Sequence, residues 1–257
     1  MHYRHAIALL LLLSGLPKAG GCVLTLAYNE QSSPPYIAGD GADVPASPGI
    51  AIELVQKAVA GQGCRLQLVR RPGKRALVEV ERGQFDGLIL YSYTAERGRT
   101  LAYPLKKGHP DTMRRLATLS HYLYQRRGNR VEWDGKTLRD GRQGLIGINR
   151  GFGIRTDLEK LGAVIEEANS TEQNLNKLKL GRIVAYAMQD NIADHIIAEG
   201  DYAMIEKLPQ PLQRKDYYLV FSQRFYLAHR ALAERIWDEI GRQRDNLLKS
   251  RLPDYLQ

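Results

Sequence analysis

Short apolar segments alternate with amphipathic helical segments along most of this 257-residue chain, and this alternation constrains the fold more than any other feature. A strand-like run at residues 23–27 precedes a helical pattern at 49–59 and a second strand-like run at 65–69. A strand, a crossover helix and a second strand form a βαβ unit with parallel strands and a right-handed connection. The order therefore predicts an α/β fold.

A second α/β series follows in the other half of the chain. It opens with a strand-like segment at 144–149, and the chain ends with a strand-like segment at 217–221 and a long amphipathic helix at 227–248. Two series of this kind predict two similar lobes whose sheet edges face each other across a cleft.

The segment from Gly83 to Arg97 is the first candidate for a binding site. Its apolar strand ends at a polar segment that contains Ser92, Thr94 and Arg97. In open α/β sheets ligands bind at the carboxyl ends of strands, and a guanidinium there is suited to a carboxylate. The alternative is that Thr94 only caps a helix and Arg97 is a solvated surface charge, and the spacing alone leaves both interpretations open.

The amino terminus has the order of a secretory signal peptide over residues 1–21. A basic residue, Arg4, precedes an apolar run at 6–13, a helix-breaking segment and small residues at 19–21. The apolar run is too short to span a bilayer, and no other long apolar run follows. We therefore expect an exported, periplasmic protein.

The net charge is strongly positive, but a positive charge by itself excludes few classes of function. Without the signal peptide, Lys plus Arg falls from 37 to 35 against 28 acids, which leaves a net charge of about +7. The basic residues are scattered, as in Arg70-Arg71 and Arg126-Arg127, and no nucleic-acid-binding module is present. We expect this charge to serve solubility, with no nucleic-acid partner.

Two cysteines, Cys22 and Cys64, each stand at the entry of a strand-like run. If the two strands are parallel neighbours, the cysteines start side by side, and a disulfide is expected in an oxidising compartment. The alternative is a lipoprotein box at residues 19–22 with Cys22 lipidated, which ranks second because Ala19 stands where such boxes usually have Leu.

The order of motifs resembles solute-binding protein family 3, the periplasmic amino-acid-binding proteins of ABC transporters, over nearly the whole mature chain. The motif that carries the resemblance consists of Gly83, Phe85, Asp86, Ser92, Thr94 and Arg97. It implies an α/β, two-lobed periplasmic-binding-protein-like fold, in which each lobe is a mixed, mostly parallel sheet flanked by helices. The implied lobes are residues 22–115 with 213–257, and residues 116–212.

The resemblance also implies site residues. Arg97 would grip the carboxylate of an amino-acid-like ligand, with Ser92, Tyr91 and Thr94 assisting. The second-lobe turn, with Gly151, Phe152 and Gly153, would add main-chain N–H groups.

Three positions depart from the family pattern. The acid that holds a ligand ammonium falls on Gln189, with Asp190 one residue later. Ser33 replaces a stacking aromatic residue, which leaves Tyr28 or Tyr36 as substitutes, and Gly73 replaces a bulky aromatic residue. An ordinary amino-acid ligand is therefore less firmly implied than the fold.

The resemblance implies a monomeric binding protein with no cofactor, whose partners are a small carboxylate and an ABC transporter permease. The first alternative is an enzyme of the same fold, similar to cyclohexadienyl dehydratases. Against it, the histidines His109, His121, His195 and His229 are isolated, and no metal-binding spacing is present. The second alternative is an orphan or sensory module that docks a partner protein.

Overall fold

The computed structural model of the protein describes residues 21–139, 144–150 and 152–255. The expected signal peptide, residues 1–21, lies outside the described residues except for Gly21. Within the described part, no helix combines the length and apolar character needed to cross a membrane.

The first α/β series forms three parallel strands in the order expected from the sequence. The elements are β1 (Val23–Asn29), α1 (Ile50–Ala60), β2 (Arg65–Arg71), α2 (Gly73–Glu81), β3 (Gly87–Ser92) and the single turn α3 (Arg97–Thr100). Strand β1 pairs in parallel with β2 on one side and with β3 on the other.

The middle of the chain adds short strands and one long strand. The elements are β4 (Leu101–Ala102), the hairpin β5 (Leu105–Lys106) and β6 (His109–Pro110), the long strand β7 (Ala117–Arg126), and the hairpin β8 (Glu132–Trp133) and β9 (Leu138–Arg139). Two-residue strands carry too little periodicity to detect in a sequence. Strand β7 is long because it pairs with partners that are distant in the chain, which a local pattern does not show.

The second series and the return segment complete the fold. The elements are β10 (Leu145–Asn149), α4 (Ile154–Lys160), β11 (Val164–Ala168), α5 (Thr171–Lys179), β12 (Ala185–Gln189), α6 (Asp190–Glu199), β13 (Ile205–Lys207), β14 (Gln213–Ser222) and α7 (Gln223–Arg251). Helix α7 begins four residues before the expected position because the Ser222 hydroxyl caps it by accepting from the Phe225 N–H.

Hydrogen bonding runs without interruption from one series to the other. The strand order is β11-β10-β12-β7-β14-β3-β1-β2, with β13 beside β7 and β4 beside β14. The series strands are parallel, whereas β7 and β14 are antiparallel to each other and to their neighbours β12 and β3. The α/β class with mixed, mostly parallel strands is confirmed, and the two crossover strands join both series into one mixed sheet.

Helix α7 is held against the first series by a buried core. Its Trp237 is fully buried with Ile240 and with Leu54 of α1, and the Trp237 indole N–H donates to the Leu219 carbonyl at 2.8 Å. Burying an aromatic side chain of this size contributes about 3 to 5 kcal/mol relative to alanine. The carboxyl-terminal helix therefore packs against α1 of the first series, which is far from it in sequence, and against β14.

The two cysteines form a disulfide at the start of β1 and β2. The parallel register pairs Val23 with Arg65, so Cys22 and Cys64 lie next to each other with their Cα atoms 4.6 Å apart. The bond closes a sequence separation of 42 residues, which is worth about 4 kcal/mol in the chain-entropy model. Because the bond uses the Cys22 thiol, the structure supports the disulfide and not the lipid.

A buried arginine holds the loop between β1 and α1. The Arg70 guanidinium is 1% exposed and lies 5.3 Å from the centre of the Tyr28 ring. It donates to the main-chain carbonyls of Glu30 and Asp43 at 2.9 Å each, and to that of Gly39. The planar Arg70 guanidinium therefore connects three points of a loop that has no regular secondary structure of its own.

We expect Arg70→Met to lower the free energy of unfolding by about 2 to 4 kcal/mol, because the loop carbonyls lose a charged donor. Amide hydrogen exchange in residues 30–43 should accelerate together with the loss measured by urea unfolding. The matched control is Arg65→Met, since Arg65 is exposed on the same strand. Equal effects of the two substitutions would contradict the role given to Arg70.

Candidate functional site

A cavity of about 850 Å³ lies between the two α/β series, with the crossover strands as its floor. The size falls in the range of about 300 to 1,000 Å³ that small-molecule sites occupy. Alternate residues of a strand share one face, so the floor is built from every second residue of β7 and β14. These floor residues are Leu119, His121, Gln213, Lys215 and Tyr217.

Arg97 lies on the first wall of this cavity, at the start of α3. It is half-buried, and its Nη1 donates to the Ser92 carbonyl at 3.1 Å and to the Ser92 hydroxyl at 3.2 Å. The guanidinium carbon is 5.2 Å from the centre of the Tyr91 ring. The Thr94 hydroxyl accepts from the Arg97 main-chain N–H at 3.1 Å. Thr94 thus has the capping contact considered above, while Arg97 faces the cavity.

Tyr91 is anchored beside Arg97. Its hydroxyl donates to the Gly73 carbonyl at 2.6 Å, and burial raises the pKa of the phenol to about 12. A Cβ atom at Gly73 would lie 3.3 Å from that hydroxyl. The small residue at position 73 therefore leaves room for Tyr91 to fill this side of the wall.

A bulge in β3 presents consecutive residues to the cavity. Leu90 has a φ of +66°, and the pairing of β3 with β14 shifts register at this point. A regular strand would turn only alternate residues inward, whereas Ile89, Leu90, Tyr91 and Ser92 all line the cavity. A leucine in the left-handed region costs about 1 to 2 kcal/mol, which the surrounding packing of this wall offsets.

The second wall comes from the turn before α4 and from the end of β12. Phe152 and Gly153 line the cavity, and a Cβ atom at Gly153 would lie 3.9 Å from the Arg97 Nη2. The turn therefore faces the guanidinium directly. Gly151, the third candidate of this turn, lies outside the described residues.

Gln189 connects the second wall with the floor. It is buried at the end of β12, and its Nε2 donates to the Tyr217 hydroxyl at 2.8 Å. Burial raises the pKa of Tyr217, while hydrogen bonding to Gln189, the charge of Arg97 and hydrogen bonding to Ser92 oppose that rise. Gln189, Tyr217, Ser92 and Arg97 thus form a continuous polar chain across the cleft, here called the cross-cleft chain.

Two candidate residues do not line the cavity. Asp190 begins α6, where its carboxylate accepts from the Asn191 main-chain N–H at 3.0 Å, and burial raises its pKa. Tyr36 packs against the first core, and burial followed by the charge of Asp190 raises its pKa. Neither side chain therefore joins Arg97 in lining the cavity.

Hydrogen bonds join the two walls at the mouth of the cleft. The Asn191 amide donates to the Pro34 carbonyl at 2.6 Å and to the Ser33 hydroxyl at 3.2 Å. The Gln31 amide donates to the Asn169 carbonyl at 2.8 Å. These contacts hold the walls together without any charged pair.

The floor contains polar residues that the sequence did not single out. Lys215 is two residues before Tyr217 on β14, and its ammonium is 2.7 Å from the Asp157 carboxylate. His121 is 2% exposed, and Gln213 lies 3.4 Å from its Nδ1. A local pattern could not reveal these side chains as neighbours, because the pairing of β7 with β14 spans about a third of the chain.

Burial, followed by the charge of Lys215, lowers the pKa of His121 to about 3. The folded protein leaves this ring neutral at pH values where the unfolded chain protonates it. The free energy of unfolding should therefore fall as the pH drops below about 6.5, the pKa of an unperturbed histidine, and stop falling near the folded pKa.

We expect His121→Gln to remove about 2 kcal/mol of the decrease in unfolding free energy between pH 6.5 and pH 5, since each pKa unit corresponds to about 1.4 kcal/mol. Urea unfolding at several pH values measures this difference. His109→Gln is the control, because His109 is exposed. Parallel pH profiles for wild type and His121→Gln would contradict a neutral, buried imidazole.

Among the described residues, no group of three or more His, Cys, Asp and Glu side chains is arranged to hold a metal ion. The cavity instead offers the guanidinium groups of Arg97 and Arg150 and the ammonium groups of Lys74 and Lys215, together with amide, hydroxyl and apolar side chains. Chemically, this arrangement can bind and orient an anion.

Comparisons with known proteins agree on the fold. No family model matches the chain, and no curated protein matches it. A mutant of ArgBP from T. maritima matches with a TM-score of 0.68 at 15% identity, covering 89% of this chain and 94% of the other. The GluR0 ligand-binding core from Nostoc punctiforme, in complex with L-glutamate, matches with 0.68 at 15% identity, covering 90% and 97%. A histidine kinase sensor domain with similarity to periplasmic binding proteins reaches 0.71 at 14% identity, covering 91% and 95%.

The fold is that of the two-lobed amino-acid-binding proteins. The fold implied by the resemblance to solute-binding protein family 3 is thereby confirmed. At 14–15% identity these matches establish the architecture and leave the ligand to be argued from the cleft.

Proposed function

We propose that the protein is a periplasmic solute-binding protein that captures an amino acid or a related small carboxylate for an ABC-type uptake system. The observation that carries this proposal is the position of Arg97 on the cavity wall, opposite the Gly153 turn. A guanidinium with free N–H groups in a partly desolvated cleft is suited to bidentate contact with a carboxylate.

The proposed mechanism is hinge closure between two lobes. We take the lobes as residues 22–115 with 213–257, and residues 116–212. Strands β7 and β14 connect them, and bending at these two crossings would open the mouth contacts made by Asn191 and Gln31. A bound carboxylate would then contribute contacts to both walls and favour the closed form.

Export supports the periplasmic part of the proposal. The sequence pattern of residues 1–21 predicts a signal peptide, and the disulfide of Cys22 with Cys64 suits an oxidising compartment. We propose a monomer that presents its closed form to a membrane partner.

A sensory module is the second candidate. A histidine kinase sensor domain has the same fold with a TM-score of 0.71. The two candidates share the ligand site and differ in the protein that detects closure. The structural neighbours named above are binding proteins and a sensor domain, so the enzyme alternative gains no support from them.

We expect Arg97→Ala to weaken carboxylate binding by about 2 to 4 kcal/mol, because a desolvated carboxylate loses its charged partner. Arg97→Lys should recover only part of this loss, since an ammonium cannot form two parallel hydrogen bonds. Thermal-shift screening of amino acids and small carboxylates would identify a binder, and calorimetric titration would measure its affinity for each variant.

The matched control is Arg99→Ala, because Arg99 is exposed two residues away. Its affinity should equal that of wild type. A folded Arg97→Ala variant that binds as tightly as wild type would show that the site is elsewhere.

A further inference from the structure

We propose that the cleft selects carboxylates that have an apolar body and no ammonium group beside the carboxylate. This inference rests on the proposed function, because it concerns the same site around Arg97. The inferred selectivity distinguishes an α-amino acid from the analogue that has the same carboxylate and side chain but lacks the amino group.

An ammonium group that leaves water must find a charged or strongly polar partner, since an unpaired buried charge is costly. On the second wall, the buried polar residues that line the cavity are the neutral Asn149, Thr171 and Gln189, and Gln189 is the one bonded to Tyr217 on the floor. The Gln189 side-chain N–H donates a hydrogen bond to the Tyr217 hydroxyl, which holds the amide in place. Its carbonyl oxygen can accept a hydrogen bond but has no charge to offset an ammonium.

Most acids near the cleft are either paired with a cation or exposed to water, which weakens the charge that they can offer a ligand ammonium. Asp190 does not line the cavity, and Asp157 is paired with Lys215 at 2.7 Å. The acidic residues that do line the described part of the cavity are Glu30, Asp40, Glu172 and Glu199. All except Glu30, which is half-buried, are exposed. Water screens exposed carboxylates, so they compensate a buried ammonium poorly.

The floor adds no net negative charge. Lys215 and Tyr217 lie two residues apart on one face of β14, which separates their Cα atoms by about 7 Å. The Lys215 ammonium is paired with the Asp157 carboxylate, so their two charges offset each other. The other floor groups, the Tyr217 phenol and the buried His121 imidazole, carry no negative charge at neutral pH.

The remaining walls suit an apolar body. They are formed by side chains of both lobes, including Leu77, Ile89, Leu90, Leu119, Phe152 and Ile192. A carboxylate on Arg97 would place the rest of the molecule against these surfaces, where burial of apolar area stabilises binding.

The experiment compares three pairs of compounds that differ in the amino group: L-phenylalanine with 3-phenylpropionate, L-leucine with 4-methylpentanoate, and L-glutamate with glutarate. Dissociation constants are measured by calorimetry or ligand-observed NMR on the mature protein at pH 7. We expect the compound without the amino group to bind at least about tenfold more tightly in the two apolar pairs.

Gln189→Glu tests the cause of this selectivity. It keeps the side-chain length and adds a carboxylate, so we expect the preference to shift towards the amino acids by about tenfold or more. Asp190→Asn is the control, because Asp190 does not line the cavity, and its preference should match that of wild type. Thermal melts verify that both variants are folded.

The outcomes distinguish this inference from the proposed function. Tighter binding of the amino acids, with loss of binding in Arg97→Ala, would overturn the inference and leave the proposed function standing. An unchanged preference in a folded Gln189→Glu variant would also overturn the inference. If neither member of any pair binds at millimolar concentration, both the carboxylate site and its selectivity are rejected.

Discussion

The antiparallel pairing of β7 with β14 is the constraint on which the rest of the structure depends. Five residue pairs, from Gln213 with His121 to Tyr217 with Ala117, join the two crossover strands. The same strands pair outward with β12 and β3, so they connect the series on both sides. Because their inward-facing residues form the cavity floor, the ladder that links the two halves also builds part of the site.

The cross-cleft chain shows how this topology creates a polar centre from isolated residues. Tyr217 is opposite Ser92 in the pairing of β14 with β3, and Gln189 at the end of β12 reaches the Tyr217 hydroxyl. Arg97 completes the chain through Ser92. The Ser92 hydroxyl and the Tyr217 hydroxyl are thus held by hydrogen bonds within the cross-cleft chain, while the Arg97 guanidinium keeps further donors for a ligand.

Local sequence signals predicted most elements and one wall of the site. The periodicity of β1, α1 and β2 predicted parallel neighbours, and this placed Cys22 beside Cys64. The apolar strand before Ser92 likewise placed Arg97 at a strand end, where it lines the cavity. These features depend on residues close together in the chain, which is why a single sequence contains them.

The remaining features depend on contacts between distant segments. The His121 side chain is neutral because it is buried on β7, between β12 and β14. The residues next to His121 in the sequence give no sign of this burial. The sequence does not predict the bulge at Leu90 either, because leucine rarely adopts a left-handed backbone conformation. The extra residue is seen only in the pairing of β3 with β14. The different roles of Gln189 and Asp190 are set by the exact end of β12, which periodicity locates only within a few residues.

A crystal structure of the protein with a bound carboxylate tests the central claim most directly. Crystals soaked with 3-phenylpropionate should show the carboxylate oxygens within about 3.2 Å of the Arg97 guanidinium, between Ser92 and the turn that contains Gly153. The phenyl ring should lie against the apolar walls of the cavity. A carboxylate bound elsewhere, for example on Lys215, with Arg97 still bonded only to Ser92, would contradict the account.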